Sequence, residues 1–342
     1  MSKQFDTLVF ITRCSPFHEG HYYVIRRALE MADKVIILIG GSNRPRDIRS
    51  PFTYEERRDM ITRSVTPSEL EHIQISSLYE YMYDEQAWVD EVQFKIGYLT
   101  QHQTTPKIGI IGYAKDKTSG YFKLFPHWQF INVECFKHIN ATEIRFFLFD
   151  NPTYDPHFEL VTTRQVSDFL LKFKTTAEYV ELCNEWQAIQ TYKQSWRLAP
   201  YAPTFITADA MVICMNHVLM IQRKRAPGKG LWAMPGGFVN QDEFIECAAI
   251  RELKEETQIG VSSDVLRKNI RASHQFDHPL RDHRGRMVTT TYKIQLSNTS
   301  LPVIIPSDDA MDAKWIPISD IDSTVCYADH YDMIAYMQKY YF

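Results

Sequence analysis

The segment R-E-L-K-E-E places Arg251 beside Glu252, with Glu255 and Glu256 one turn further on. Residues three and four apart share one face of a helix, so the three carboxylates converge on one spot. Like charges that close repel one another, and a hard, oxygen-seeking cation such as Mg²⁺ (or Mn²⁺) neutralises them. Glu252, Glu255 and Glu256 are therefore the candidate metal ligands. Glu243 stands nine residues before Glu252, in a loop or first turn, where it can pair with Arg251 and brace the site. Gly237 opens the turn that leads into this helix. Phe244, Ile245, Ala248, Ala249 and Ile250 supply its apolar face. A solvated glutamate-rich helix is the plain alternative, but it gives no reason for Gly237, Glu243 and Arg251 to fall at these offsets.

A second constellation lies near the start of the chain. S-P-F-H-E-G-H carries His18 and His21 between an apolar strand and a helix with Val24, Ile25, Ala28 and Leu29 at helical spacing. A helix N-terminus favours anions, so two histidines there can donate to a polyphosphate. I-N-A-T-E-I-R (139–145) adds Thr142, which can cap a helix, and Arg145, whose fork suits phosphate oxygens. Arg44, Arg46 and Arg49 form a basic loop, either a phosphate-contacting flap or a solvated loop. It precedes Thr53 and Glu56 at capping-box spacing.

The elements that must hold these groups are legible in outline. Residues 7–12 and 35–39 are continuous apolar runs suited to buried parallel strands, and the segment between them completes a βαβ unit. In such sheets the ligand sits beyond the carboxyl ends of the strands. Residues 173–198 look helical, then L-A-P-Y-A-P breaks the pattern. Strands are expected at 208–215, 217–224 and 230–239, with a turn at Asn216. The expected organisation is a first domain over 1–172, a helical, proline-broken linker over 173–202 and a second domain over 203–342.

Composition narrows the class. The chain has 342 residues, 44% apolar and 23% charged, enough for two ordinary globular cores. A net charge of −4 argues against broad nucleic-acid binding, which needs a basic surface. The six cysteines are scattered, without C-x-x-C or a His–Cys cluster, and read as reduced thiols. No charged-then-apolar leader precedes the first strand, and no stretch reaches bilayer-spanning length, so a cytoplasmic protein without membrane partners is expected. Homo-oligomerisation is compatible with the sequence.

Residues 237–259 resemble the Nudix box. The departure is Gln258, where the family carries the glycine that ends the helix. The stretch T-R-C-S-P-F-H-E-G-H resembles the archaeal-type nicotinamide mononucleotide (NMN) adenylyltransferases, in which Arg13, Pro16, Phe17, His18, Gly20 and His21 match and Thr12, Cys14 and Ser15 depart. I-N-A-T-E-I-R is similar to that family's second signature. F-D-H-P-L-R-D-H-R-G-R (276–286), D-D-A-M-D-A-K-W-I-P-I (308–318) and Y-A-D-H (327–330) resemble segments of ADP-ribose pyrophosphatases.

The resemblance implies an α/β chain with a doubly wound parallel sheet followed by a Nudix α/β/α sandwich. It implies two reactions. One transfers an adenylyl group from ATP, as substrate, to NMN, giving NAD and pyrophosphate. The other is metal-dependent cleavage of ADP-ribose to AMP and ribose 5-phosphate. Catalysis would fall to His18, His21, Thr142 and Arg145 in the first half and to Glu252, Glu255 and Glu256 in the second. Arg13, Phe17, Asp116 (with Lys115) and Arg281 would bind substrate, Arg281, Arg284 and Arg286 giving a positive face to a diphosphate. Trp88 has two readings, stacking on nicotinamide or packing in the core. An alternative function makes the second half a non-catalytic sensor of ADP-ribose or NAD, or a hydrolase of another dinucleotide such as NADH.

Overall fold

The computed structural model describes residues 3–113, 117–150 and 157–341. The chain divides into two compact units, Met1–Cys183 and Asn184–Phe342. Together they form a mixed α/β protein, with a parallel sheet in the first unit and a separate mixed sheet in the second.

In the first unit β1 (Phe5–Thr12), β2 (Ala32–Ile39), β3 (Ile73–Ser77), β4 (Ile108–Gly112) and β5 (Gln129–Asn132) pair in the order β3-β2-β1-β4-β5, all parallel. The helices are α1 (Glu19–Met31), α2 (Tyr54–Ser64), α3 (Pro67–Leu70), α4 (Glu85–Thr100), α5 (Ala141–Asp150), α6 (His157–Val161) and α7 (Arg164–Phe173), and α8 (Ala177–Ser195) begins in this unit and ends in the second. Val9, Ile36, Leu38 and Ile110 of the sheet pack with Val89, Val92 and Ile96 of α4. α1 buries Val24, Ile25 and Ala28. Strands covered on both faces need apolar residues at every position, which is why β1 and β2 read as unbroken runs. The strand order reverses direction between β1 and β4. That switch point opens a crevice at the carboxyl ends of those strands.

The second unit contains β6 (Thr204–Cys214), β7 (His217–Arg223), β8 (Trp232–Ala233), β9 (Gly236–Phe238), α9 (Ile245–Thr257), α10 (Ser263–Lys268), β10 (Ile270–Phe276), β11 (Arg286–Leu296), β12 (Ala310–Pro317) and α11 (His330–Tyr340). Its sheet runs β10-β11-β6-β7-β12, with β9 beside β6 and β8 beside β7. β6 and β11 are parallel along their whole length, from Thr204↔Arg286 to Cys214↔Leu296, and the other pairs are antiparallel. Met215 and Asn216 turn β6 into β7 with φ of 48° and 60°, the left-handed pair that a two-residue hairpin requires. The expected single strand over 230–239 is two strands. The chain leaves β7 for β6 at Met234–Pro235, and Pro235 still accepts from Ala210 N–H at 2.8 Å. Ile250 and Leu253 of α9 pack on Ala210, Val212 and Leu219. Ala248 and Ala249 meet Ala208.

All six cysteines are unpaired. Among the described residues no helix is long and apolar enough to cross a membrane.

Candidate functional site

The first constellation assembles where β1 runs into α1. Cys14 takes a left-handed backbone (φ 47°) and the Ser15–Pro16 peptide is cis, so the chain turns sharply after the strand. His18 caps α1 in an extended conformation. Its backbone N–H donates to His21 Nδ1 at 3.3 Å, and the two rings stack with centroids 3.7 Å apart. An accepting Nδ1 places the proton of neutral His21 on Nε2, the donor edge. Phe17 is fully buried and stacks on His21 at 5.8 Å. A Cβ on Gly20 would meet the His18 ring at 2.9 Å, so the middle of H-E-G-H has to be glycine. Burial pushes His18 down to about 4, with Arg145 adding, and pushes His21 well down, with His18 adding. Both rings are thus neutral donors at pH 7. His18 Nδ1 is buried without a hydrogen-bond partner among the described residues.

Positive charge at this end of the sheet comes from arginines. Arg145 donates through Nη1 to Ser15 O at 2.6 Å and through Nη2 to Thr142 Oγ1 at 3.3 Å. Burial pulls Arg145 down to about 10, Asp47 pushes it up, and Arg13 and Arg49 add repulsion. It stays charged at neutral pH. Arg13 pairs with Glu80, which also faces Arg44 at 3.8 Å. The basic loop is held internally: Arg46 forks onto Glu56 at 2.5 and 2.9 Å and reaches Pro51 O at 2.7 Å. Thr53 and Glu56 form the expected capping box.

One site expectation changes in detail. The cap of α5 is Asn140, whose Oδ1 accepts from Glu143 N–H at 2.9 Å, because the helix starts at Ala141 and a cap must precede it. Thr142 sits in the first turn and holds Arg145 instead. Trp88 is half-buried against the core, edge-on to Tyr121 at 6.0 Å and tilted to Phe125 at 5.8 Å. Lys115 and Asp116 lie outside the described residues. Sequence reasoning missed Arg57, which is 1% exposed and donates to the carbonyls of Arg13, Gly40, Gly41 and Thr53. The signal available was its place one turn inside a capped helix next to the basic loop.

The second constellation surrounds a cavity of about 360 Å³. Arg251 is its hub. Nε and Nη2 grip Glu243 at 3.0 and 2.6 Å, Nη1 reaches Glu252 at 2.7 Å and Glu255 at 2.8 Å, and Nη2 also donates to Phe238 O at 3.0 Å. Its fork holds Glu243 down to about 2. Glu256 is 5% exposed and accepts from Gly236 N–H at 3.0 Å. Burial pushes Glu256 up to about 8, with Glu252 adding. Burial also raises Glu252, against Arg251. A Cβ on Gly237 would lie 2.5 Å from the Glu252 carboxyl, so only glycine lets β9 pass this close to α9. Gln258 ends α9 in the left-handed conformation (φ 44°, ψ 34°), and its N–H donates to Lys254 O at 2.9 Å. The helix terminates as a glycine would end it, at the strain cost of a side chain there.

Arg281 is in the cavity wall, but its guanidinium is committed to the fully buried Asp329 at 2.9 and 3.1 Å. The pair places Arg281 in the wall of the cavity, with Asp329 fixing its orientation. Arg284 forks onto Asp282 at 3.0 and 2.7 Å and lies over the rings of Phe238 and Tyr192, 5.5 and 5.8 Å away. Arg223 lies over Tyr327 at 4.2 Å. The cavity is therefore acidic on its α9 side, with Arg223, Lys224 and Arg225 on another. Sequence reasoning gave no role to Asp209 and met Tyr327 and His330 only within Y-A-D-H; all three line the cavity. Asp209 accepts from Thr289 Oγ1 at 2.5 Å, and His330 Nδ1 accepts from Met234 N–H at 3.0 Å. A lone acid within the apolar strand A-D-A-M-V-I-C was the signal for Asp209. The C-terminal half of α8 belongs to this unit: Glu185 accepts from Gly228 N–H at 3.2 Å, and Tyr192 and Trp196 pack on Phe205 at 5.5 and 5.2 Å.

Comparison with known proteins places both halves. Residues 9–146 match the cytidylyltransferase-like family and residues 204–337 the NUDIX domain family. The chain is 31% identical over 186 residues, covering 95% of the relative, to a nicotinamide/nicotinic acid mononucleotide adenylyltransferase of Acinetobacter baylyi. That match spans 54% of this chain. It is 30% identical over 121 residues to an ADP-ribose pyrophosphatase of Methanocaldococcus jannaschii, covering 35% of this chain and 66% of the relative. A solved structure of a bifunctional NMN adenylyltransferase/ADP-ribose pyrophosphatase from Francisella tularensis, complexed with AMP and a Mn ion, superimposes with a TM-score of 0.89. It is 36% identical, and the match covers 98% of this chain and 99% of that one.

Proposed function

The chain belongs to the family of bifunctional NMN adenylyltransferase/ADP-ribose pyrophosphatases, and on that premise we propose which residues perform each reaction. In the first unit an oxygen of the NMN phosphate attacks the α-phosphorus of ATP, the bond to the β-phosphate oxygen breaks, and pyrophosphate leaves with its electron pair. No covalent enzyme intermediate is needed, so the protein's part is positioning and charge stabilisation. His18 and His21 donate to the departing phosphates as neutral imidazoles. Arg145 and Arg13 supply positive charge, the first turn of α5 with Thr142 offers free N–H groups, and Phe17 supports His21 from below. Trp88 is the candidate surface for the nicotinamide ring. The switch-point crevice is where ATP and NMN would meet.

In the second unit ADP-ribose and water give AMP and ribose 5-phosphate. Glu252, Glu255 and Glu256 would hold a hard divalent ion, Mg²⁺ or Mn²⁺: Glu252 and Glu255 meet at Arg251 Nη1 and Glu256 lines the same cavity, so the three need only close in around the ion. Such an ion would polarise the diphosphate and lower the pKa of water. Glu243 and Arg251 hold these carboxylates in place, and Arg223, Lys224 and Arg225 offer charge to the diphosphate.

The observation that supports the reading best is that one chain carries both arrangements complete, with similarity over nearly its full length. The test offers the full chain NMN with Mg-ATP, then ADP-ribose, then NADH, and resolves the products by chromatography. Absence of NAD in the first mixture, or of AMP in the second, would refute the corresponding half. Faster cleavage of NADH than of ADP-ribose would reassign the second substrate. We further propose a cytoplasmic enzyme acting on small molecules, with each site confined to its own domain.

A further inference from the structure

Arg57 is as buried as any apolar core residue, yet no carboxylate pairs with it among the described residues. Its acceptors are backbone carbonyls. Nη1 donates to Arg13 O at 3.0 Å and Gly40 O at 2.7 Å, Nη2 to Gly41 O at 3.2 Å, and Nε to Thr53 O at 3.2 Å. A guanidinium held out of water with no carboxylate in contact, Glu55 and Glu80 acting only at a distance, is costly, so its retention calls for a compensating role. Arg13 follows the end of β1, and Gly40 and Gly41 follow the end of β2. One planar fork thus spans the carboxyl ends of two neighbouring parallel strands, which a lysine ammonium cannot do. Arg13 O lies just before left-handed Cys14, and on the far side of that residue Arg145 takes Ser15 O at 2.6 Å. The turn that carries the chain to His18 is pinned from both sides.

We propose that Arg57 is a positioning residue for adenylyl transfer, fixing the path of the turn between β1 and α1 so that Arg13 and the His18–His21 pair meet the phosphates. It acts through backbone carbonyls and touches no substrate. The proposal rests on reading the first unit as an adenylyltransferase.

The test uses the full chain with Arg57→Lys, which keeps the charge and loses the fork, and Arg57→Ala, which loses both. For both variants kcat for NAD formation should fall by about 10²-fold, the scale of a misplacement near 1 Å. KM for ATP should change much less. Guanidinium ion at millimolar concentration should restore part of the turnover of Arg57→Ala without raising its melting temperature. ADP-ribose hydrolysis by the same preparations should stay at the wild-type rate, showing that the loss is local. Wild-type kcat in Arg57→Lys would overturn the proposal. So would a loss in Arg57→Ala that tracks only the unfolded fraction and vanishes well below its melting transition. A wild-type chain that makes no NAD at all would instead refute the functional reading of the unit.

Discussion

Around His18 the fixed charges are cationic, Arg13, Arg49 and Arg145 crowding one another, while the histidines are neutral donors. On α9 they are anionic, with Glu243, Glu252 and Glu255 gathered about Arg251. Both regions are read as handling an adenylyl group joined through a pyrophosphate. The first arrives with its own positive charge and meets the anion directly. The second has to borrow a cation, and until one arrives Arg251 offsets part of the charge of its acids. The difference shows that the substrate does not dictate the sign of a site. What matters is whether the charge that stabilises the reacting phosphates is built into side chains or recruited.

The largest effects expected are on turnover, in a crossed pattern. His18→Ala or His21→Ala should lower NAD formation by about 10²–10³-fold, the usual effect of removing one preorganised donor, and leave ADP-ribose hydrolysis alone. Glu256→Gln should do the reverse, since it keeps size and helix propensity while replacing an ion-binding carboxyl oxygen by an amide nitrogen. Melts with and without Mg²⁺ supply the control, because an ion that binds only the folded chain raises its stability. If either mutant loses both activities while folded, the sites are not independent and the comparison fails.

The sites also differ in their response to acid. His18 titrates at about 4 in the folded chain against an ordinary 6.5. Between those values the unfolded chain binds more protons, so stability rises with pH there and is lost as pH falls through the window. A shift of that size corresponds to about 3 kcal/mol when fully developed. Urea unfolding at pH 4, 5 and 6.5 should show this slope, and His18→Gln should reduce it, His21 supplying the remainder. An unchanged slope would mean that the imidazole stays solvated.

A smaller effect tests where the second unit begins. A fragment starting at Asn184 keeps Tyr192 and Trp196 against Phe205 and Glu185 on Gly228, whereas one starting at Pro203 loses all three. The shorter fragment should be less stable by about 2 kcal/mol, roughly the burial of one aromatic side chain. Equal denaturation midpoints would show that the end of α8 adds nothing. The smallest effect is a gain: Gln258→Gly removes left-handed strain and should stabilise the second unit by about 1 kcal/mol, read as a raised melting temperature.

What the sequence disclosed tracks how local each feature is. H-E-G-H and R-E-L-K-E-E are short spacings on single elements, and the geometry at His18, His21, Arg251 and Glu256 grows from them. β1 and β2 were legible because double-sided burial forces an unbroken apolar run. Arg57 was not, since its carbonyl partners at Arg13, Gly40 and Gly41 come together only in the folded sheet. The pairing of Arg281 was hidden for the same reason: its partner Asp329 lies 48 residues away. Asp209 and His330 reach the cavity from β6 and α11, elements that no sequence spacing connects. The strand expected over 230–239 broke because β7 and β6 each claim part of it.

The full-length parallel pairing of β6 with β11 has a consequence for how the chain is made. Thr204 pairs beside Arg286 and Cys214 beside Leu296, so the central strand of the second sheet waits for a partner that the ribosome delivers some eighty residues later. Until then β6 can use only its contacts with β7 and β9, and much of one apolar edge stays open. The parallel sheet of the first unit needs no residue beyond Asn132 and can close while the second is still being translated. Long-range pairing is slow and exposes strand edges to aggregation. Synthesis stalled between Cys214 and Leu296 would therefore leave a finished first sheet tethered to an unsatisfied strand, the stretch of translation at which this chain depends most on chaperones.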